Sequence, residues 1–379
     1  MIINDNYNYK HLIKLSLIIM YNSNSQQQKV YVSFNQDASC FVVGDDKGFK
    51  VFGSFNYGKD IHERIIEGGI GIIELCYRSN IIAFVGGGTH SEYPDTKVVL
   101  WDDYDAKIIS EFRFPSSIRS IKLKKDKILI VSDNKIFLMS LINYNNLLHI
   151  NTDNDSKDLI AINLDPLTTV IAYLANTNTA IKLHHLETDK DVTIKFTYEC
   201  TISYFALNYD GSLIAIANDK GSNIHIYRTI DGMYLQQFER KEKAEISYIC
   251  FDIHCKLMAA ASNKGTIHIW HMDNCIKKSK ETPINEEGLQ DTKEIVHHQN
   301  KNKILSIIGR YFTNEWNFAQ VKIDETQQSI CAFGPDNTLI AITFDGKYYQ
   351  AQIDMKKGGN CKLIKEHSLL NYKHTMNDN

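Results

Sequence analysis

Leu207 to Trp270 reads LNYDGSLIAIANDKGSNIHIYRTIDGMYLQQFERKEKAEISYICFDIHCKLMAAASNKGTIHIW. One pattern occurs in it twice. Leu213-Ile214-Ala215-Ile216-Ala217 answers to Leu257-Met258-Ala259-Ala260-Ala261. Asn218-Asp219-Lys220-Gly221-Ser222 answers to Ser262-Asn263-Lys264-Gly265-Thr266, and Ile224-His225-Ile226-Tyr227 to Ile267-His268-Ile269-Trp270. Each copy is a strand, a polar turn, a run of small apolar residues, a Lys-Gly turn and an alternating strand. A repeat of roughly 44 residues made only of strands and turns has the period of a β-propeller blade.

Working outward, the scheme recurs along the chain. Val30 to Phe52 (VYVSFNQDASCFVVGDDKGFKVF), Ile72 to Trp101, Ile118 to Ser140 and Ala161 to His185 precede the quoted stretch, and Ser329 to Ile353 follows it. First strands aligned at Phe34, Leu75, Leu123, Leu164, Leu207 and Phe251 lie about 41 to 48 residues apart. The next step, to Phe333, is about 82, so one long insertion follows Trp270. Alternation without helical periodicity predicts an all-β chain, a seven-bladed β-propeller. Residues near Val30 to Phe34 are expected to complete the last blade as its outermost strand and so join the chain ends. The small residues of the third strands suit the narrow space near the axis.

The expected organisation is an N-terminal extension over residues 1–28, a propeller over 29–365 with its insertion at about 271–315, and a tail over 366–379. Leu12 to Met20 is apolar but short and interrupted by Lys14, too short to span a membrane. No strongly basic region or small-residue cleavage site makes it a signal peptide, and a translation start at Met20 also fits. Tyr21 to Gln28 is polar and is expected to be disordered.

Composition narrows the function. Hydrophobic residues make up 43% and charged residues 23%, as in a soluble globular protein. The net charge of −3 provides no global basic field for nucleic acid, so an anionic ligand must meet a local pocket. The eight cysteines include no CxxC pair and read as reduced core residues of a cytosolic protein. There is no GxSxG, HExxH or Walker loop, and neither metal nor cofactor is expected. Gly86-Gly87-Gly88 leads into a loop and strand and reads as a tight turn. His184-His185 and His297-His298 do not make a metal site, and Asp102-Asp103 reads as a turn that caps strand ends.

The landmarks SFNQDASCFVVGDDKGFKVF, EGGIGIIELCYRSNIIAFVGGG, YPDTKVVLWDD, ALNYDGSLIAIANDKG, ASNKGTIHIW, RYFTNEWNFAQ and ICAFG, in that order, resemble the PROPPIN family, from Lys29 to Lys365. The likeness is to its smaller, animal-type branch. The resemblance implies a seven-bladed WD-type propeller that binds phosphoinositides and acts in autophagy and endosomal traffic. The family signature is a Phe/Leu-Arg-Arg-Gly tetrapeptide between blades five and six. Its two arginines point opposite ways, one into each of two headgroup pockets. Here the tetrapeptide is Phe238-Glu239-Arg240-Lys241.

Carried over residue by residue, the blade-six pocket holds Arg240, Ser262, Thr266 and His268: a guanidinium fork, two hydroxyl donors and an imidazole, with Lys264 at the rim. The blade-five pocket holds Glu239, Tyr198, Asn218 and Ser222. A carboxylate facing a phosphate is repulsive, so this pocket reads as degenerate. The insertion begins with the charged run from Lys277, expected to be mobile. It ends in an apolar patch beside basic residues, in which Ile304, Leu305, Ile307 and Ile308 suit a segment at a membrane surface.

The reading that follows is a non-catalytic adaptor held peripherally on preautophagosomal, endosomal or vacuolar membranes by phosphatidylinositol 3-phosphate or the 3,5-bisphosphate. It would recruit a lipid-transfer or scaffold protein. Two readings stand beside it. The Glu239 and Tyr198 departures favour a WD-type interaction scaffold that has lost lipid binding. An enzyme with its site on a propeller face has no clustered acids or metal ligands to support it.

Overall fold

Gly221 and Gly265, the glycines of the two matching turns, both adopt the left-handed backbone, at φ 60° and 63°. Each closes its turn onto the strand before it, Gly221 N–H donating to the Asn218 carbonyl and Gly265 N–H to that of Ser262. A side chain at Gly221 would collide with the Ala244 carbonyl. The turn therefore requires glycine on both counts. It throws Leu213–Asn218 back against Asn223–Arg228, and Leu257–Ser262 against Thr266–His271, in antiparallel register.

The same local chemistry repeats around a ring. This computed structural model describes residues 17–369 apart from 24–25, 57–58, 88–90, 153–158, 176–178, 196–200, 220, 222, 241–242, 284–293, 297–313, 316, 324–327 and 344. Seven sheets follow one another as blades, each an antiparallel run of four strands, from blade one at Gln26–Phe34 to Lys59–Ile65, through to blade seven at Ser329–Phe333 to Lys362–Ser368; three of them add a short parallel strand at the edge. The first strand of every blade lines a central cavity of about 720 Å³. Gln36 ties three blades there, its amide donating to the carbonyls of Leu75 at 2.8 Å and Leu123 at 3.1 Å. The alanine-rich strands Leu213–Asn218 and Leu257–Ser262 sit one strand out from the axis, not beside it. Their buried runs pack between neighbouring blades, where both faces are covered.

Ring closure corrects one expectation. Gln26–Phe34 does not join the last blade. It pairs with Cys40–Asp45 and is the first strand of blade one. The short Asn-Gln-Asp turn makes that hairpin a local closure of low entropic cost. Blade seven takes its outer strand from the chain that follows it, Lys362–Ser368. The seam is closed by side chains instead. Phe41 stacks on Phe52 at 4.9 Å and lies 6.3 Å from Tyr348, within one buried cluster that includes Val32, Ile330, Ile340 and Ile342. The Tyr348 hydroxyl donates to the Ser54 carbonyl at 2.7 Å.

The extension also differs from expectation. Leu17–Ser23 forms a strand on Gln26–Val32, so part of residues 1–28 is paired backbone. The hairpin satisfies the otherwise open inner edge of blade one.

Candidate functional site

The insertion lies between Thr266–His271 and Ala319–Lys322, the third and fourth strands of blade six. Its root is not the mobile run expected from Lys277. Asp273–Glu281 is an α-helix whose Cys275 is fully buried. Further on, Glu294–Val296 runs parallel to Thr193–Lys195 of blade four, and Asn314–Glu315 parallel to Gln237–Phe238 of blade five. Ile304, Leu305, Ile307 and Ile308 lie outside the described residues.

The tetrapeptide closes blade five. Phe238 and Glu239 end the strand Tyr234–Glu239, and Arg240 follows. Phe238 is fully buried and packs on the equally buried Trp270, ring centroids 5.7 Å apart, which anchors the link between the blades. Arg240 is only 6% exposed. Its Nη2 donates to the Ser262 hydroxyl at 2.7 Å, and Ser262 Oγ donates to the Thr266 carbonyl at 3.3 Å. His268 stands two residues beyond Thr266 on the same face of Thr266–His271. The structure thus brings all four blade-six residues to one place, with Lys264 exposed on the turn. That turn is fixed to the link by two bonds between Asn263 and Glu245.

Electrostatics distinguish the imidazole. Burial, and next the Arg240 cation, push His268 down to about 4, and Asn317 opposes them weakly. At neutral pH the ring is uncharged, and the pocket's fixed positive charge is that of Arg240. The guanidinium is already desolvated and oriented, the condition under which a charge-assisted fork is strongest.

The equivalent position on blade five is different. Glu239 pairs with Asn223 in the strand register and accepts a 3.0 Å hydrogen bond from Gln237. Asn218, half-buried, ends Leu213–Asn218, and the next residue, Asp219, accepts a bond from Thr201. A carboxylate, Glu239, therefore stands where the tetrapeptide's first arginine would be. Tyr198 and Ser222 lie outside the described residues.

Other histidines are occupied structurally. His184 Nδ1 is 2.8 Å from Asp191 Oδ1, and His185 Nε2 is 3.1 Å from the Thr229 carbonyl. Among the described residues no group of three or more His, Cys, Asp or Glu is placed to hold a metal ion. His297-His298 lies outside them. Asp102 caps its turn through the N–H groups of Tyr104 and Asp105. Asp103 does more than that, gripping Arg64 and His62 of blade one. Gly86 and Gly87 sit where an added Cβ would strike the backbone of Tyr93 and of Gly71.

Sequence reasoning missed Asn317, the Asn263–Glu245 bonds and the helix with its partner Arg228. Of these only the helix left a trace, a charged run with cysteine and isoleucine adjacent.

Comparison with known proteins gives three results. The family model described as PROPPIN matches residues 29–370. Autophagy-related protein 18e of Arabidopsis thaliana is 30% identical over 332 residues, covering 86% of this chain and 84% of that protein. Two solved structures share the fold. Hsv2 of Kluyveromyces lactis with its complete loop 6CD has a TM-score of 0.69 at 18% identity, covering 90% of this chain and 99% of its own. The complex of KlAtg21 with the coiled coil of AgAtg16 has 0.67 at 20%, covering 89% and 98%.

Proposed function

The chain belongs to the PROPPIN family, and from that premise we propose that it is a non-catalytic adaptor reading a 3-phosphoinositide headgroup through the blade-six pocket. The observation that carries this is the placement of Arg240: buried, bonded to Ser262, and beside Thr266 and His268. A buried guanidinium is retained only where its charge has use or compensation. A phosphate monoester offers two oxygens to the parallel N–H groups of the guanidinium fork, and the Thr266 hydroxyl is a further donor.

On this reading one headgroup binds per chain, phosphatidylinositol 3-phosphate or the 3,5-bisphosphate. The blade-five position, which carries Glu239, contributes none. The propeller, from Gln26 to Ser368, carries the pocket, and the insertion's Ile304, Leu305, Ile307 and Ile308 add apolar contact with the membrane. With one headgroup the avidity of two is forfeited, so the insertion carries more of the attachment. Autophagic and endosomal membranes are where such lipids would place it. The solved complex of a structural neighbour with a coiled coil supports a coiled-coil scaffold as the kind of partner recruited by another face.

The test is titration with soluble inositol 1,3-bisphosphate, alongside flotation of vesicles with and without phosphatidylinositol 3-phosphate. One headgroup bound per chain, lost in Arg240→Ala, supports the reading. No binding to either probe favours the second reading, an interaction scaffold without lipid affinity, to which the Gln237-bonded Glu239 points.

A further inference from the structure

Arg228 is the last residue of the third strand of blade five, and it is 4% exposed. Its guanidinium is bonded on every side. Nε donates to Asp231 Oδ1 at 2.9 Å, and Nη2 to Asp231 Oδ2. The remaining bonds leave blade five. Nη1 donates to the carbonyls of Ser279 at 2.8 Å and Thr282 at 2.7 Å, and Nη2 to that of Pro283 at 3.1 Å. These carbonyls belong to the C-terminal end of the helix Asp273–Glu281 and the two residues after it. They are groups that a helix end leaves without partners, at the negative pole of its dipole.

Other contacts point the same way. Lys278 Nζ donates to the Leu235 carbonyl at 2.6 Å, and Cys275 Sγ to Gln236 Oε1 at 3.2 Å. Met272 and Cys275 are fully buried. The root of the blade-six insertion is thus seated on blade five, along Tyr234–Glu239, the strand that leads directly to Arg240.

We propose that Arg228 and Asp231 form a latch that holds the insertion's root on blade five, at the start of the strand whose far end leads to Arg240, making Arg228 a positioning residue for membrane attachment. This rests on the reading that the insertion meets the membrane. Asp231 neutralises the buried cation, and the three carbonyls use the donors that Asp231 leaves over. If the insertion simply hung from blade six, those donors would be buried with no acceptor, an arrangement folded proteins avoid. With the root fixed, the insertion and the headgroup pocket act on one membrane patch at high effective concentration. With it loose, the two become independent weak attachments.

The test uses the full chain and three readouts: hydrogen exchange over residues 273–283, flotation with vesicles containing phosphatidylinositol 3-phosphate, and titration of soluble inositol 1,3-bisphosphate. In Arg228→Gln and Asp231→Asn, exchange over 273–283 is expected to quicken by roughly tenfold or more, as for lost bonds to a charged group. Vesicle binding falls several-fold and soluble headgroup binding stays unchanged. Adding Gln236→Cys to Arg228→Gln and oxidising it onto Cys275 staples the root in place. Vesicle binding then recovers, and reduction abolishes the recovery.

Vesicle binding unchanged while 273–283 exchanges freely overturns the proposal. So does equal loss of soluble headgroup binding in a folded variant. Where Arg228→Gln does not fold, Gln236→Cys alone decides: a staple that abolishes vesicle binding shows that the root must detach. If the wild type ignores vesicles but binds headgroup, the membrane role of both insertion and latch falls, while the exchange data still decide whether Arg228 seats the root.

Discussion

The guanidinium of Arg240 and the hydroxyl of Ser262 meet at 2.7 Å, across the junction of blades five and six. Ser262 in turn is bonded to the Thr266 carbonyl, so the arginine is oriented by the turn that also carries the second hydroxyl. Arg240→Ala removes the fork and is expected to weaken headgroup binding tenfold to a hundredfold, from about 1.5–3 kcal/mol for a charge-assisted bond. Ser262→Ala leaves the charge but not its orientation and should show a smaller loss. Calorimetric titration ranks them. Equal affinity in wild type and Arg240→Ala would mean the pocket is not a phosphate site.

Glu239→Arg should tighten binding. It replaces a carboxylate with a donor at the blade-five position, but Tyr198 and Asn218 are retained, so the gain is smaller than the Arg240 loss. Vesicle flotation at two salt concentrations checks this, since an added cation must steepen the salt dependence. A decrease in affinity would count against the assignment of that position.

His268 sets the pH response. It is held down to about 4 against an ordinary 6.5, first by burial and then by Arg240. Below pH 6.5 the unfolded chain takes up a proton that the fold refuses until about pH 4. The stability linked to this ring is therefore present in full above 6.5 and is lost as pH falls through that window. A bound phosphate offsets Arg240 and offers the ring a partner, so headgroup affinity should rise on acidification, by at most about tenfold per pH unit for one proton. The quantity to measure is the difference between wild type and His268→Asn, because the phosphate titrates too. Identical pH profiles in both would remove His268 from the pocket.

Deleting residues 304 to 308, the segment holding Ile304, Leu305, Ile307 and Ile308, should weaken vesicle binding several-fold. Soluble headgroup binding and the melting temperature should be unchanged. An unfolded product, or unaltered flotation, would make the segment structural rather than membrane-facing.

At the seam, Tyr348→Phe deletes the bond to the Ser54 carbonyl and leaves that acceptor buried. The expected loss is about 1–2 kcal/mol, read as a melting temperature lowered by a few degrees. Phe41→Ala, which empties the stack against Phe52, should be worse, at about 3–5 kcal/mol. If both behave like surface substitutions, the ring is closed elsewhere.

How legible these features were depends on how local they are. The hairpins could be read because a strand's apolar run, its turn residues and the glycine at Gly221 or Gly265 sit within a dozen positions. The choice of partner for Val30 to Phe34 could not, because either neighbour satisfies the same alternation; a short turn and a spare C-terminal strand decided it. The helix Asp273–Glu281 went unread since its apolar face amounts to little more than Cys275. What holds its end is Arg228, on another blade. At the pocket, the residue types came from the family resemblance and the contact between Arg240 and Ser262 came only from the structure. Lys277 looked mobile because charge was visible in the sequence and the acceptor for Lys278, a backbone carbonyl, was not.

The self-sufficiency of blade one has a consequence for how the protein is made. Its five strands are consecutive, so it can finish pairing as soon as it emerges from the ribosome and offer the next blade a completed neighbour. Among the described residues no N-terminal strand waits, edge exposed, for a partner translated at the very end. The last event is the landing of blade seven on blade one, a contact of side chains such as Phe41 and Tyr348 rather than a ladder of backbone bonds. The ring can therefore part at that seam, under heat or pulling force, without unravelling a single sheet.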